Sequence, residues 1–257
     1  MTSQSSNQFY ITGCGRSGTS MVAGLFRGAD LYTGDNLHPA RSSNPLGFFE
    51  APAINQLNEQ ILLPYLPRCY RSGSVQYGCD APRKTHSWLA RLPQNLIPKA
   101  NAGQRETINA FTSEERFCYK DTRFCYTIHE WLASSPDAKV ICVYRNPSDV
   151  IASILKECHT QSYLFDFSIS VNQAFEIWCS MYRHVIYNHY NPDTWLITSY
   201  ESVLSGLAKE RLESFTGIKL DFSFPTIELN RSRGDYSPNN ECAFIYNELT
   251  RLERDHD

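Results

Sequence analysis

The chain has 257 residues, of which 42% are hydrophobic and 13% aromatic, and a formal net charge of −3 at pH 7. That length suits one domain, or one domain carrying an insertion, with enough apolar residues for a substantial core. The slight acidity argues against broad binding to nucleic acid or anionic membrane and, less strongly, against a polyanionic glycan substrate, while leaving room for a local basic pocket.

The polar start, MTSQSSNQ, has no apolar signal core and leads directly into a predicted strand, Phe9–Gly13. A glycine-rich turn follows, and then a helix predicted from Ser17 to about Gly28. Between Gly28 and Arg116 no strand is predicted. Prolines, clustered around Leu63–Pro67, mark loops and short helices there. This insertion, about 29–115, should cover the C-terminal edge of the sheet, where open α/β folds bind ligands. Three more short apolar runs, Arg116–Lys120, Lys139–Tyr144 and Thr194–Ser199, read as strands buried on both faces. Helices are predicted over Arg123–Ser134, from Pro147 onward, over Ser168–His189 and Ser202–Phe215, and near Cys242–Arg254; Pro147 suits the first helical position. The alternation predicts an α/β fold of three layers, a central parallel sheet of about four to five strands flanked by helices, in one domain over 1–257. No run is long enough to span a bilayer. The nine cysteines form no C-x-x-C pair, so reduced thiols in the cytoplasm are expected.

The densest chemical signal is FYITGCGRSGTSMVAGLF, residues 9–26. A strand, a glycine turn and a hydroxyl-rich helix start aim backbone N–H groups and a positive helix end at one point, which makes an anion site. Against the P-loop pattern G-x-x-x-x-G-K-[ST], the match runs Gly13, Gly18, Thr19, Ser20, with Thr19 in the place of the lysine. The positive charge stands instead at Arg16, which points to an anion other than the γ-phosphate of a triphosphate. GCGRSG also spells the dinucleotide fingerprint G-x-G-x-x-G, with Asp35 about 20 residues on where a ribose-binding acid would stand. Cys14, inside the loop, is either acidified by the helix end or a small side chain that fits.

VICVYRNPSDVIASIL, residues 140–155, repeats this logic. A strand ends at Arg145, Pro147 opens a helix, and Ser153 follows two turns on. Alone, Arg-Asn-Pro would be a structural turn. Paired with the first loop, the guanidinium fork and the serine hydroxyl make a second phosphate grip on the same sheet edge.

With both grips in view, the chain resembles the cytosolic-type sulfotransferases that use 3′-phosphoadenosine 5′-phosphosulfate (PAPS) and release 3′-phosphoadenosine 5′-phosphate (PAP). Arg145, Pro147, Val150 and Ser153 follow that family's R-x-P-x-x-V-x-x-S-like segment. NPLGFFE (Asn44 to Glu50) and KDTR (Lys120 to Arg123) are similar to motifs of a bacterial branch, with Thr122 where that branch usually has proline. TSYESV around Tyr200 resembles the adenine-contacting segment, and RSRGDY (Arg231 to Tyr236) the segment that closes over the 3′-phosphate. The resemblance implies that Gly15, Arg16, Ser17, Gly18, Thr19 and Ser20 cradle the 5′-phosphosulfate. It further implies that Arg145, Ser153, Tyr200, Arg231, Arg233 and Gly234 hold the other end of the donor. No metal is implied.

Sulfuryl transfer needs a positioned sulfonate, neutralised charge on the leaving phosphate and removal of the acceptor's proton. Arg16 and Lys120 are the expected cations. Asp35, Glu50 and His38 are the candidate bases; for Glu50 the alternative is an ion pair with Arg123 or another basic side chain. Asp121 and Arg123 read as a brace for Lys120. Animal-type members carry K-T-H near Lys120 with the histidine as base. That histidine is absent here, and the KTH at Lys84–His86 lies too far upstream of Arg145 to replace it. The aromatic stripe Phe175, Trp178, Tyr182 and Tyr187 either lines the acceptor pocket or belongs to the core. The expected acceptor is the hydroxyl, less often the amine, of a small natural product or alkaloid. No nucleic-acid or membrane partner is expected, and the protein should be a monomer or homodimer. A P-loop kinase is the alternative reading.

Overall fold

QFYIT forms strand β1 (Gln8–Thr12), and everything else in the sheet is arranged around it. A computed structural model of the chain describes residues 7–42, 44–66, 84–164, 167–224 and 233–255. On one side β1 pairs with β2 (Phe117–Lys120) and on the other with β3 (Lys139–Tyr144), to which β4 (Trp195–Ser199) adds. All pairs are parallel and the order is β2-β1-β3-β4. The fold is α/β, a four-stranded parallel sheet flanked by helices, and each predicted strand coincides with an observed one to within a residue at either end.

Because side chains alternate across a strand, one sequence supplies two cores. Tyr10, Phe117, Tyr119, Val140, Cys142, Tyr144, Trp195 and Ile197 point to one face. There they meet helices α2 (Pro52–Leu62), α3 (Ala102–Thr112), α4 (Phe124–Leu132), α5 (Pro147–Thr160), α6 (Val171–His184) and α9 (Asn240–Arg254). Phe9, Ile11, Cys118, Ile141, Val143 and Leu196 point to the other face, against α1 (Thr19–Gly24), α7 (Tyr200–Leu204) and α8 (Lys209–Thr216).

Three helices differ from their predicted extents, each for a local reason. Beyond Gly24 the first helix tightens, with Leu25, Phe26 and Arg27 N–H groups donating three residues back at 3.1–3.2 Å. The long aromatic helix changes at Val185 into a π turn, Val185–His189, closed by Tyr190 N–H on Val185 O at 2.8 Å. Gly206, at φ 82°, splits the predicted 202–215 helix into α7 and α8. Among the described residues, the irregular insertion holds two well-formed α-helices. Pro52 sits in the first turn of α2, and α3 is closed by a capping box between Asn101 and Gln104. Both pack on α4 beside the sheet. Among the described residues no helix is long and apolar enough to cross a membrane.

The chain leaves β1 toward β2 on one side and later returns to β3 on the other. The carboxyl ends of β1 and β3 are therefore the switch point, where α/β sheets open a crevice.

Candidate active site

The turn after β1 depends on glycine. Gly13 (φ 141°) has the Val143 carbonyl where a Cβ would go, and Gly18 (φ 94°) has the Tyr200 ring there. The ring of Trp88, from the 3₁₀ helix Lys84–Leu89, closes on Gly15 in the same way. Arg16 itself is left-handed, at φ 72°. A residue far along the chain holds this turn. The Tyr182 hydroxyl on α6 donates to Val143 O at 2.7 Å, accepts from Cys14 N–H at 3.2 Å and lies 2.9 Å from Ser17 Oγ.

This turn opens into a cavity of about 800 Å³ at the carboxyl ends of the strands. Gly15, Arg16, Gly18, Thr19, Ser20, Glu50, Lys120, Arg145, Ser153 and Tyr200 all line it. The two segments predicted as anion grips thus face one space. They also touch, since Arg16 Nε donates to Ser153 Oγ at 3.0 Å and Arg16 Nη1 lies 3.7 Å from Glu157.

Lys120 is 4% exposed and ends β2. Its Nζ lies 2.5 Å from Glu50 Oε1 and 3.2 Å from Ser20 Oγ, and Ser20 in turn donates to Phe48 O at 3.1 Å. Glu50 is therefore paired, with Lys120 and not with Arg123. Beneath this pair lies a buried polar network. Asp121 accepts from Asn55 and Asn58 side-chain amides at 2.9 Å each, and from Arg123 N–H and Nη1 at 2.9 and 3.0 Å. Arg123 also reaches Ser87 and Glu59, at 2.5 and 3.1 Å. Burial works to raise the Asp121 carboxyl, but Arg123 and the two amides outweigh it and hold the group below its ordinary value. For Glu59 burial wins, and its carboxyl is raised despite Arg123 and Ser87. The network ties α2 and the Trp88 helix to the end of β2.

The second grip begins where Asn146 caps α5, accepting from Ser148 N–H at 3.0 Å. Arg145 is buried, donates to Asp149 at 3.3 Å and lies 4.5 Å from the centre of the Tyr200 ring. The segment around Gly234 docks on this helix start. Gly234 N–H donates to Asp149 Oδ1 and Tyr236 N–H to Ser148 Oγ, each at 2.9 Å. A Cβ at Gly234 would strike the Ser148 carbonyl. Behind the grips, Glu253 on α9 accepts from Tyr144 OH at 2.6 Å and Ser199 N–H at 2.9 Å. One carboxylate thereby fixes the residues just before Arg145 and Tyr200.

Several predicted residues stand elsewhere. Ser17 is fully buried with its hydroxyl turned to Tyr182, outside the cavity lining. Asp35 is exposed beside Tyr32, also outside the lining. Arg233 is 79% exposed, 3.7 Å from Asp149, and neither it nor Gly234 lines the cavity. Arg231 lies outside the described residues, as do the side chains of Lys84, Thr85 and His86. His38 does line the cavity, its ring 3.0 Å from Asn55. Phe175, Trp178 and Tyr182 are core residues, and Tyr187 is exposed. Cys14 is fully buried, which pushes its thiol well above the ordinary range, with Cys125 and Cys179 adding to the effect. Burial outweighs the helix end, which favours the reading of Cys14 as a small side chain that fits. Trp88, Glu157 and Phe224 line the cavity without any motif in the sequence to mark them, and Thr122 lines it as well. The Thr122 hydroxyl is buried in that lining and hydrogen-bonds no described residue.

The sequence matches the model of a family described as "Sulfotransferase family" over residues 8–221. No curated protein matches it. Among solved structures the fold is similar to the sulfotransferase domain from the curacin biosynthetic pathway, at TM-score 0.54 and 14% identity, over 95% of this chain and 97% of that one. Two further structures align at TM-score 0.47. They are sulfotransferase STF1 of Mycobacterium tuberculosis (14% identity, 96% of this chain, 77% of that one) and a sulfotransferase of Alicyclobacillus acidocaldarius (15%, 96% and 94%).

Proposed function

The chain belongs to the sulfotransferase family, and from that premise we propose that it transfers a sulfonate group from PAPS to the hydroxyl, less often the amine, of a small acceptor. The observation that carries the donor assignment is that Arg16 and Arg145, from different strand ends, line one cavity together with Lys120. A donor with phosphates at both ends of its adenosine calls for two such grips. The residues present fit it. The Trp88 and Tyr200 rings pack where Cβ atoms at Gly15 and Gly18 would stand, so this turn needs its glycines, and Thr122 offers a buried hydroxyl that hydrogen-bonds no described residue.

When bound, PAPS supplies an activated sulfonate on a phosphate leaving group. Arg16 and the backbone of Gly15–Ser20 take the 5′ end, and Arg145, Ser153 and Tyr200 the 3′-phosphate and adenine. Gly234, docked on Asp149, and Arg233 brace that second grip from outside. Lys120 stands between the first loop, through Ser20, and Glu50. It offers its charge to the transferring group. Glu50 is the base in this reading: its Lys120 ion pair holds the carboxylate beside the first loop, whereas Asp35 lies outside the cavity and the His38 ring faces Asn55. Thr19 stands where a P-loop kinase has its lysine, so this cradle has no cation for a γ-phosphate at that position. A structural neighbour comes from the curacin biosynthetic pathway, which supports a natural-product acceptor.

Calorimetry with PAP and with ADP, both in chelator, tests the donor assignment. PAP should bind tightly, and Arg145→Ala should weaken it about 10- to 100-fold, the size of a charge-assisted contact. Equal affinity for ADP and PAP would remove the need for a second grip.

A further inference from the structure

The cavity continues past the donor grips along α5. Ser153, Glu157 and Thr160 recur at helical spacing on one face, with Lys156 beside them, and all four line it. Arg41, Phe48 and Tyr163 complete this end. Among the described residues, six lysines and arginines line the cavity against two glutamates, in a chain whose net charge is −3. Four of the six have carboxylate partners: Arg16 with Glu157, Lys120 with Glu50, Arg123 with Asp121 and Glu59, and Arg145 with Asp149. Arg41 and Lys156 have none within ion-pair distance among the described residues. The Arg41 guanidinium rests instead against two rings, 5.4 Å from the centre of Tyr163 and 5.8 Å from that of Phe48. A cation held over aromatic rings in this way need spend no N–H donor on them, so its donors stay available to a ligand.

The donor's charges are met by Arg16, Lys120 and Arg145, so these two cations are surplus to it. We propose that they receive the acceptor. The acceptor is an aryl or similarly flat alcohol that also carries a carboxylate or phosphate. Its ring packs near Phe48 and Tyr163, and its anionic group meets Arg41 and Lys156. This inference rests on the sulfotransferase reading and specifies its substrate class. It replaces the alkaloid expected from the sequence, because basic side chains outnumber acidic ones among the described lining residues.

The test is calorimetry on protein saturated with PAP, using four phenols as probes: 4-hydroxyphenylacetate, 4-hydroxyphenyl phosphate, neutral 4-ethylphenol and cationic tyramine. At least one of the two anions should bind about 10-fold more tightly than 4-ethylphenol, with tyramine weakest, and which anion leads decides between carboxylate and phosphate. Arg41→Ala and Lys156→Ala should each reduce the preference about 3- to 10-fold, as partly exposed charge pairs do, without changing PAP affinity. Equal binding of all four, a preference for tyramine, no binding of any probe, or a preference intact in the double variant would overturn the proposal alone. Failure of PAP itself to bind would remove the donor reading beneath it as well.

Discussion

Glu50 and Lys120 share one short ion pair, and the lysine is almost wholly buried, so each sets what the other can do. As the proposed base, Glu50 should show its role in turnover and not in donor binding. Glu50→Gln should lower kcat on any accepted phenol by about 10²- to 10⁴-fold, the usual share of a positioned proton acceptor, while PAP affinity holds or rises because Lys120 loses its partner. Steady-state kinetics beside calorimetry checks this, and a kcat within about threefold of wild type would remove Glu50 from the role. Asp35→Asn serves as the control and should change neither quantity.

At the scale of elements, the Asp121–Arg123–Glu59 network joins three pieces of chain that share no sequence neighbourhood, the end of β2, α2 and the Trp88 helix. Its two acids are not equivalent. Asp121 is held ionised against burial, whereas Glu59 is raised. Asp121→Asn should therefore cost about 3 kcal/mol, toward the lower end for a broken buried pair because Glu59 remains. Glu59→Gln should cost less. Urea unfolding measures both, and a reversed order would contradict the network as described. This network also marks how far the sequence was legible. KDTR pointed to a brace beside Lys120, but its partners Asn55, Asn58 and Glu59 sit on a helix whose one sign, Pro52 in its first turn, lies inside a proline-rich stretch. The four strands were readable because runs buried on both faces are apolar throughout. The π turn at Val185 and the break at Gly206 were not, since the helical pattern runs through both. Nor could the turn of Ser17 toward Tyr182 be foreseen, because that contact spans 165 positions. Hydroxyls at a helix start look alike in sequence whether they face a ligand or the core.

At the scale of the whole molecule, three histidines meet away from the cavity, where α4, α6 and the π turn pack. His129 and His189 stack with ring centres 5.3 Å apart and planes 10° apart, and His184 lies 6.3 Å from His189. Glu130 is the acid at this cluster, 3.6 Å from His129. Burial lowers all three imidazoles, and for His189 the neighbouring rings add to it, reaching about 3. An unfolded His189 takes its proton near 6.5, the folded one only near 3. Between these values the unfolded chain binds more protons, so stability is full above the unfolded value and falls as the pH drops. His189 alone should cost about 2 kcal/mol at pH 5. Asp121, whose folded value is depressed, adds a loss in the same direction at still lower pH. The urea midpoint should fall between pH 7 and pH 5, less so in His189→Gln, and a midpoint that does not move would contradict this account of the cluster.

Two clusters of donors, on the turn after β1 and on the first turns of α5, are proposed to hold the two ends of one nucleotide. A crystal structure of the protein with PAP tests this most directly. The 5′-phosphate should lie on the 15–20 turn with Arg16, and the 3′-phosphate on Arg145 and Ser153. A nucleotide bound with either guanidinium out of contact would contradict this assignment.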